Sequence, residues 1–461
     1  NLDRLTQEVT AQGVIEYTYD VLGRRTSMSV NGSDPVTYGY DLASRLTVVG
    51  QGVLGVSFGY DAAGRRTSLN YRNGVSTGYE YDVASRVTKV SHQASSVIES
   101  LSYSYDAAGN RTDISRSNPL ADLPANIQAA YDAANEMTQF NADTLSYDAN
   151  GNLLSDGEKT YTWDARNRLI GLSGSDLSAS FTYDALGRRV GKTINGMTTE
   201  YQYDGNDIIA EIEGGAVTTT YLRGLNIDEP FVRRSSGGNE YYVSDALGST
   251  LALTDGVGNV TATYSYDPFG KTTITGTSTN VFQYTGREND GTGLYYYRAR
   301  YYSPTMQRFV SEDPLNLASV QLPEQIRTFE RPKSSNRVLY GLLLRNPDYQ
   351  HLYAYVTNDP TNWRDPWGTI NWGGALGTAA DVGGFVLDNS GTYGYYGGAI
   401  GGALGGTTGL AFGGAGAFVG GIIGSYVGNK IGGFFDDACA GQLNCGEQIP
   451  PVPPPCVGRK C

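Results

Sequence analysis

Cysteine is almost absent from this chain of 461 residues. The four cysteines all lie near the C-terminus, at Cys439, Cys445, Cys456 and Cys461. The rest of the chain therefore has no disulfide framework and must be stabilised by packing alone. Their spacing does not match the paired C-x-x-C pattern of a zinc site, so no metal site is predicted. Disulfides in an exported tail and free thiols both remain open interpretations.

Histidine and charged residues are also scarce. The only histidines are His92 and His351, which we predict to lie in loops or on the surface, and 18% of residues are charged. Because the C-terminal tail has no histidine, His-based nuclease, metal or acyl-transfer chemistry cannot be built from tail residues alone. The net charge of -13 argues against a nucleic-acid partner, since phosphate contacts need clustered Lys and Arg. No cofactor is indicated.

Tyrosine and glycine are abundant, with 35 and 61 residues respectively, and they recur in a pattern. A Tyr-Asp dipeptide returns about every 20 residues, and such a period predicts a repeat architecture. The chain opens at Asn1 inside this pattern without a charged-then-apolar leader, so we expect a fragment or an address further upstream. The dipeptides begin at Tyr19, Tyr40, Tyr60, Tyr81, Tyr105, Tyr131, Tyr147, Tyr183 and Tyr203, and Trp163-Asp164 fills the one gap.

One repeat predicts a strand followed by a tight turn. Tyr17 and Tyr19 alternate, so both rings project from one face of a strand. The Asp20-x-x-Gly23 that follows is a turn signal, because Asp accepts hydrogen bonds from backbone N–H groups and Gly supplies positive φ. An arginine four residues after the Asp is expected to pair with it across the turn. The interpretations are strand packing with capped turns, or aromatic platforms that bind carbohydrate. The arginines are Arg24, Arg45, Arg65, Arg86, Arg168 and Arg188.

A series of motifs follows the repeats in a fixed order. They are Tyr242–Ser249, Thr254–Gly258, Tyr266–Gly270, Tyr284–Glu288 and Thr292–Pro304. This series resembles the Rhs-associated core of the YD-repeat, or Rhs, family, whose members include polymorphic toxins, the shells of Tc toxin C components and teneurin YD shells. The resemblance covers about 370 residues. It implies a continuous β-sheet that spirals into a hollow cocoon, closed at one end by the core, with a variable C-terminal polypeptide held inside.

The predicted fold class is therefore all-β, with a spiral YD-repeat shell closed by the Rhs-associated core and a Gly-rich α-helical hairpin as the tail. Five regions are expected along the chain. They are a repeat shell at 1–205, the core at 206–316, an insertion at 317–351, an Asp-Pro-x-Gly motif region at 352–369 and a variable tail at 370–461.

Two Asp-Pro motifs near the end of the core predict self-cleavage. In family members that cut themselves, two such aspartates form an aspartyl-protease pair, which the resemblance carries to Asp313 and Asp365. Arg308 is interpreted either as a supporting charge for this pair or as a cation at the surface of the core. Two carboxylates that share a site cannot easily both ionise, so one acts as acid while the other activates water. The predicted cut lies between Thr369 and Ile370. The alternative is that both motifs are only turns.

This sequence departs from the family pattern at several positions. Thr369 stands where the family usually has Leu, Gln307 replaces the Gly that normally precedes Arg-Phe, and Asn316 stands where Gly is common. The insertion at 317–351 also separates two motifs that usually lie closer together. We predict that it forms a loop or a short helix.

The tail changes composition completely, with no charged residue between Asp388 and Lys430. Glycines at every fourth position give a helix a smooth stripe that a second helix approaches closely. This much glycine disfavours a water-exposed helix, so a membrane or a tightly packed interior is the expected setting. A membrane-active helical hairpin, a buried low-complexity segment and an enzymatic cargo are the alternatives. The two runs are Gly397, Gly401, Gly405, Gly409 and Gly413, then Gly416, Gly420, Gly424, Gly428 and Gly432.

The leading hypothesis is a secreted or cell-surface bacterial polymorphic toxin whose shell holds, and releases by aspartyl self-cleavage, a glycine-zipper effector. Its expected partners are its own C-terminal segment, membrane lipid, a delivery or secretion component and an immunity protein. One alternative is a surface protein that binds carbohydrate and is anchored by its tail. Another is an inert shell with an uncut tail.

Overall fold

The computed structural model describes residues 4–118, 123, 126–314 and 351–369. Most of the predicted insertion, Ile370, and the tail with its ten zipper glycines and four cysteines lie outside these residues. Within them the chain forms β-strands and two short 3₁₀ turns, Tyr284–Gly286 and Val356–Asn358, and no α-helix, which confirms the all-β prediction for this part. No helix there has the length and apolar character needed to cross a membrane.

The first sheet follows the first five repeats. Its eleven antiparallel strands, each paired with the next, are β1 (Gln7–Thr10), β2 (Gly13–Tyr19), β3 (Arg25–Val30), β4 (Val36–Tyr40), β5 (Leu46–Gln51), β6 (Leu54–Tyr60), β7 (Arg66–Tyr71), β8 (Ser76–Tyr81), β9 (Val87–Gln93), β10 (Val97–Tyr105) and β11 (Arg111–Arg116). A three-stranded sheet follows, formed by β12 (Ala129–Tyr131), β13 (Met137–Phe140) and β14 (Asp143–Thr144). Within each of these two sheets, every strand is therefore hydrogen-bonded to the strand that precedes or follows it in the chain.

A second large sheet contains the last repeats and most of the core. Its fourteen antiparallel strands are β15 (Ser146–Tyr147), β16 (Leu153–Ser155), β17 (Thr160–Trp163), β18 (Leu169–Gly174), β19 (Leu177–Tyr183), β20 (Arg189–Ile194), β21 (Met197–Asp204), β22 (Asp207–Glu213), β23 (Ala216–Arg223), β24 (Pro230–Ser235), β25 (Gly238–Ser244), β26 (Thr250–Thr254), β27 (Val260–Tyr266) and β28 (Thr272–Gly276). The last sheet is formed by β29 (Glu288–Asn289), β30 (Tyr295–Tyr297), β31 (Arg300–Ser303) and β32 (Arg308–Phe309).

The prediction of one continuous sheet is wrong for the described residues, whose strands fall into four sheets. The sequence between β11 and β12 contains Pro119 and Pro124, which have no N–H to donate to a sheet. No strand pairing joins the two ends of any sheet in the described part of the chain, so the predicted closure of the sheet is not observed there.

The repeat unit has the local geometry that the sequence predicts. Tyr17 is 4% exposed while its neighbours in β2 point outward. The carboxylate of Asp20 accepts hydrogen bonds from the backbone N–H groups of Leu22 and Arg24, both at 2.9 Å, and Gly23 has a φ of 85°. Asn and Ser at the glycine position in other repeats also adopt positive φ. These turns are therefore capped by their own aspartate.

The arginine of each turn also contacts the next repeat. Arg65 pairs with Asp61 at 2.6 Å, donates from Nη1 to the carbonyl of Asp82 at 3.2 Å and lies 4.8 Å from the ring centroid of Tyr81. The predicted pairing within the turn is confirmed, since all six arginines form it. The link to the next repeat was not predicted. It adds a cation–π contact to an ion pair that contributes only about 0–1 kcal/mol when exposed.

The hairpin of β30 and β31 lies in the interior. Because side chains alternate along a strand, Tyr297 and Tyr302 pack on one side of it, and Tyr296 and Tyr301 pack on the other. All four rings are no more than 2% exposed. The turn itself reaches the surface at Ala299, but Arg300, the first residue after it, is buried, and a buried charged group must have a partner.

Candidate active site

Arg300 begins strand β31 at the tip of this buried hairpin. It pairs with Tyr297 across the turn, and its side chain is 2% exposed. The guanidinium lies 3.5 Å from the ring centroid of Phe309, which strand alternation places on the same side as Tyr302. Its Nη1 donates to the carbonyl of Leu352 at 2.8 Å. The cation is thus fixed at the junction between the hairpin and the 352–369 region.

Arg300 brings together the two aspartates that the sequence assigned to one pair. Its Nη2 atom is 2.7 Å from Oδ2 of Asp313 and 3.5 Å from Oδ2 of Asp365. Both carboxylates are almost fully buried, with residue exposures of 2% and 3%. The backbone N–H of Asp313 donates to the carbonyl of Leu352 at 3.0 Å. Two acidic groups that are 52 residues apart in sequence therefore share one cation.

Ionisation of Asp365 is disfavoured in this site. Burial raises the pKa of Asp365 to about 7, although the charge of Arg300 and hydrogen bonds from the N–H groups of Thr369 and Trp367 act in the opposite direction. The nearby charge of Asp313 also contributes to this rise. Burial also lowers the pKa of Arg300, against the attraction of both acids. An acid that titrates near neutrality beside an ion-paired carboxylate is the arrangement that general acid–base chemistry requires.

The predicted cleavage site adjoins this pair. The Oδ1 atom of Asp365 accepts from the N–H of Thr369 at 3.1 Å and from the N–H of Trp367 at 3.2 Å. Gly368 has a φ of 66°, and a Cβ there would lie 2.1 Å from the carbonyl oxygen of Tyr297. Only glycine fits this close approach. Ile370, on the other side of the predicted cut, lies outside the described residues.

Arg308, the predicted supporting charge, lies elsewhere. Its guanidinium is 4.9 Å from the ring centroids of both Tyr131 and Tyr353, and it donates to the carbonyl of Asn135 at 2.9 Å. Arg308 neighbours Phe309 on the strand, so alternation directs the two side chains to opposite sides. Arg300 takes the position beside the aspartates. No local sequence signal singles out Arg300, because Tyr301 and Tyr302, on opposite sides of the strand, are both buried.

The prediction for His92 is wrong, whereas His351 is exposed as predicted. His92 is 1% exposed in strand β9, and its Nδ1 lies 2.8 Å from Oγ1 of Thr77. Burial lowers the pKa of His92 to about 4, so the ring is neutral near pH 7. It faces inward because it lies two residues after the buried Val90 in β9. In the part of the chain that the structure describes, no group of three His, Cys, Asp or Glu residues is arranged to hold a metal.

The family model described as Teneurin YD-shell matches residues 45–361, which is more than half of the chain. The chain belongs to the YD-shell family. This match includes seven of the nine Tyr-Asp dipeptides, Trp163-Asp164, the core motifs, the buried hairpin and Asp313. It ends before Asp365.

Similarity to individual proteins agrees with this family. The YD-shell chain is 32% identical over 199 residues to the tRNA nuclease WapA of Bacillus subtilis (strain 168), which covers 41% of the chain and 8% of WapA. It is 36% identical over 80 residues to the toxin subunit YenC1 of Yersinia entomophaga, covering 16% of the chain and 8% of that subunit. The chain thus spans less than a tenth of the length of either relative. It is an Rhs-type, toxin-related YD-shell protein.

Solved structures share the fold. A crystal structure of TcdB2-TccC3 superimposes with a TM-score of 0.54 at 19% identity, covering 77% of this chain and 22% of that chain. The Tc holotoxin pore of Photorhabdus luminescens gives a TM-score of 0.55 at 18% identity, covering 83% and 22% respectively. The YD shell described here therefore spans about a fifth of those chains.

Proposed function

We propose that this YD-shell protein cuts itself after Thr369 and thereby frees residues 370–461. The observation that carries the proposal is the placement of Asp313 and Asp365 on one nitrogen of Arg300, in a buried site that adjoins Thr369. If the two Asp-Pro motifs served only as turns, their carboxylates would not need to be buried beside a shared cation. Burying such charges costs several kcal/mol per ion before pairing.

In the proposed reaction, Asp313 accepts a proton from a water molecule as the water oxygen bonds to the carbonyl carbon of Thr369. Protonated Asp365 donates its proton to the leaving nitrogen of Ile370, and the carbon–nitrogen bond breaks. One water molecule is consumed, giving a carboxyl group on Thr369 and an amine on Ile370. Arg300 stabilises whichever of the two aspartates carries the negative charge.

The freed segment is proposed to be the effector of a secreted bacterial toxin. The relation to toxin subunits supports this role, and so do the charge-free glycine runs of the tail, which suit close helix packing in a membrane. The shell would enclose the segment before release, with a delivery component and an immunity protein as partners. Glycan binding is not proposed as a second function, because strand tyrosines such as Tyr17, Tyr38 and Tyr103 are no more than 7% exposed.

Self-cleavage is tested on the purified full chain by gel electrophoresis and mass spectrometry. We expect two fragments, one of which starts at Ile370. A single band at 49.5 kDa after prolonged incubation at neutral pH would exclude self-cleavage under those conditions and leave the two aspartates as structural groups. A cut at another bond would retain the protease but reject Thr369 as the last residue of the shell.

The membrane role is tested by adding the cut protein to dye-loaded liposomes of bacterial lipid composition. We expect dye release after the fragments have been separated by mild denaturant and diluted. The matched control replaces Gly401, Gly405 and Gly409 with Leu, which removes the smooth helix stripe while keeping the segment apolar. Equal leakage from both chains would reject the glycine zipper, and no leakage from either would reject a membrane-active effector.

A further inference from the structure

Three successive carbonyls just before the predicted cut accept hydrogen bonds from three successive residues of the buried hairpin. The accepting range is 366–368, and the donating range is 298–300. Because each bond uses the next residue along both segments, the two segments run in a fixed register. The pairs are Arg298 Nη1 with Pro366, the Ala299 N–H with Trp367 at 3.2 Å, and Arg300 Nε with Gly368 at 2.5 Å.

Arg298 connects residues 366–367 to two acidic residues of the shell. Its guanidinium donates to Asp228 at 2.6 Å and to Asp207 at 3.1 Å, and it lies 5.3 Å from the ring centroid of Trp367. Its φ of 58° is one that a non-glycine residue rarely adopts. The carboxylates of Asp207 and Asp228 fix the orientation of the Arg298 guanidinium. The guanidinium in turn contacts the carbonyl of Pro366 and the ring of Trp367.

We infer that Arg298 is a positioning residue that clamps residues 366–368 so that the Thr369 carbonyl faces the aspartate pair. This inference rests on the proposed self-cleavage. It makes the preferred substrate a segment of this chain with an aromatic residue at 367 and glycine at 368, since a Cβ at 368 would collide with the hairpin backbone. All three bonds lie on the amino-terminal side of the cut, so they remain after cleavage and retain the new C-terminus on the shell.

The planar guanidinium of Arg298 donates several hydrogen bonds at once, an arrangement that a lysine or methionine side chain cannot reproduce. In Arg298→Met, both acidic partners of Arg298 still have a cation. Asp228 keeps its ion pair with Arg287, and Asp207 keeps its ion pair with Arg223. The fold is therefore expected to survive Arg298→Met. A misplacement of about 1 Å at a reacting group slows a reaction on the order of 100-fold, and the clamp sets that placement.

The test compares cleavage rates of Arg298→Met and Arg223→Met in the full chain. Both variants lose one buried arginine from the same cluster, but Arg223 bonds to Asp207 and the carbonyl of Ile208 and not to residues 366–368. We expect Arg298→Met to cut about 10–100-fold more slowly, and Arg223→Met to stay within about threefold of wild type. The pH profile should keep its shape in Arg298→Met, because Arg298 does not contact either catalytic aspartate. Equal rates in the two variants would overturn the inference.

Hydrogen exchange separates this inference from the proposed function. In the Asp313→Asn background, where the chain is expected to stay whole, we expect the amides of Ala299 and of residues 367–369 to exchange at least tenfold faster in Arg298→Met than in Arg223→Met. If the wild-type chain does not cut itself, the proposal of self-cleavage is rejected, and this exchange comparison still tests whether Arg298 clamps residues 366–368. Equal exchange in the two variants would overturn the clamp even if wild type cuts normally.

Discussion

Replacing either Asp313 or Asp365 by Asn is expected to slow release of the 370–461 fragment by about 10²–10⁴-fold, the usual effect of losing a general acid or base. Asn keeps the shape of the Asp side chain, but its carboxamide cannot accept or donate a proton as a carboxyl group does. Because the two aspartates act as one unit on Arg300, the double variant should be no slower than the slower single variant. The rate is measured from band intensities after the chain is refolded from denaturant.

The other Asp-Pro motif of the 352–369 region, Asp359-Pro360, provides the matched control. The carboxylate of Asp359 accepts from Nδ2 of Asn362 at 2.8 and 2.9 Å, which caps a local turn away from Arg300. Asp359→Asn should therefore cut at a rate close to that of wild type. If it slows cleavage as strongly as Asp365→Asn does, the effect reflects disruption of the 352–369 region, and the assignment of the catalytic pair is wrong.

The pH dependence follows from the raised pKa of Asp365. With a pKa of about 7, the acid holds its proton below neutrality and loses it above, so the cleavage rate should fall about tenfold per pH unit above pH 7. The folded chain binds this proton more tightly than the unfolded chain, where the pKa returns to its ordinary value of 3.8. Its stabilising contribution is therefore complete at low pH and declines as pH rises from about 4 to about 7. A rate that increases through pH 8 would contradict Asp365 as the acid.

Local rules accounted for the repeat because each unit carries its own signals. Alternating tyrosines, an aspartate that caps the following turn and a residue of positive φ all act within about six residues, and the structure has each of them at Tyr17, Asp20 and Gly23. The Asp313 and Asp365 pair also follows from motif position. Both parts of the prediction depend on short stretches of sequence.

The remaining features depend on contacts between distant parts of the chain. Nothing near Arg300 distinguishes it from Arg298 or Arg308, and only the folding of the 352–369 region against the hairpin shows which arginine meets the aspartates. His92 was assigned to the surface because the sequence does not show that β9 is covered. The break after β11 falls in a stretch of sequence that contains Pro119 and Pro124, and proline has no N–H to donate to a sheet.

Arg189→Met is expected to destabilise the shell by about 3 kcal/mol, the lower end of the cost of breaking a buried ion pair, because Asp290 loses its two-nitrogen partner and keeps only the contact with Lys192. Arg189 and Asp290 have fully buried side chains and form a two-nitrogen ion pair, which Lys192 joins at 3.0 Å. Burial alone would raise the pKa of Asp290, but the charges of Arg189 and Lys192 outweigh it and hold that pKa below its ordinary value. The guanidinium also lies 4.2 Å from the ring centroid of Tyr296. The pair thereby ties strand β20 to the loop before the hairpin of β30 and β31.

The measurement is denaturant unfolding followed by tryptophan fluorescence, in the Asp365→Asn background so that all chains have the same length. The exposed pair of Lys89 and Glu80 is the control, since its 3.7 Å contact joins side chains that are 41% and 67% exposed. Lys89→Met should cost less than about 1 kcal/mol. Because β20 and the hairpin share this ion pair, Arg189→Met should also slow cleavage in the otherwise wild-type chain. Equal stability losses in the two methionine variants would show that the buried pair does not hold the hairpin in place.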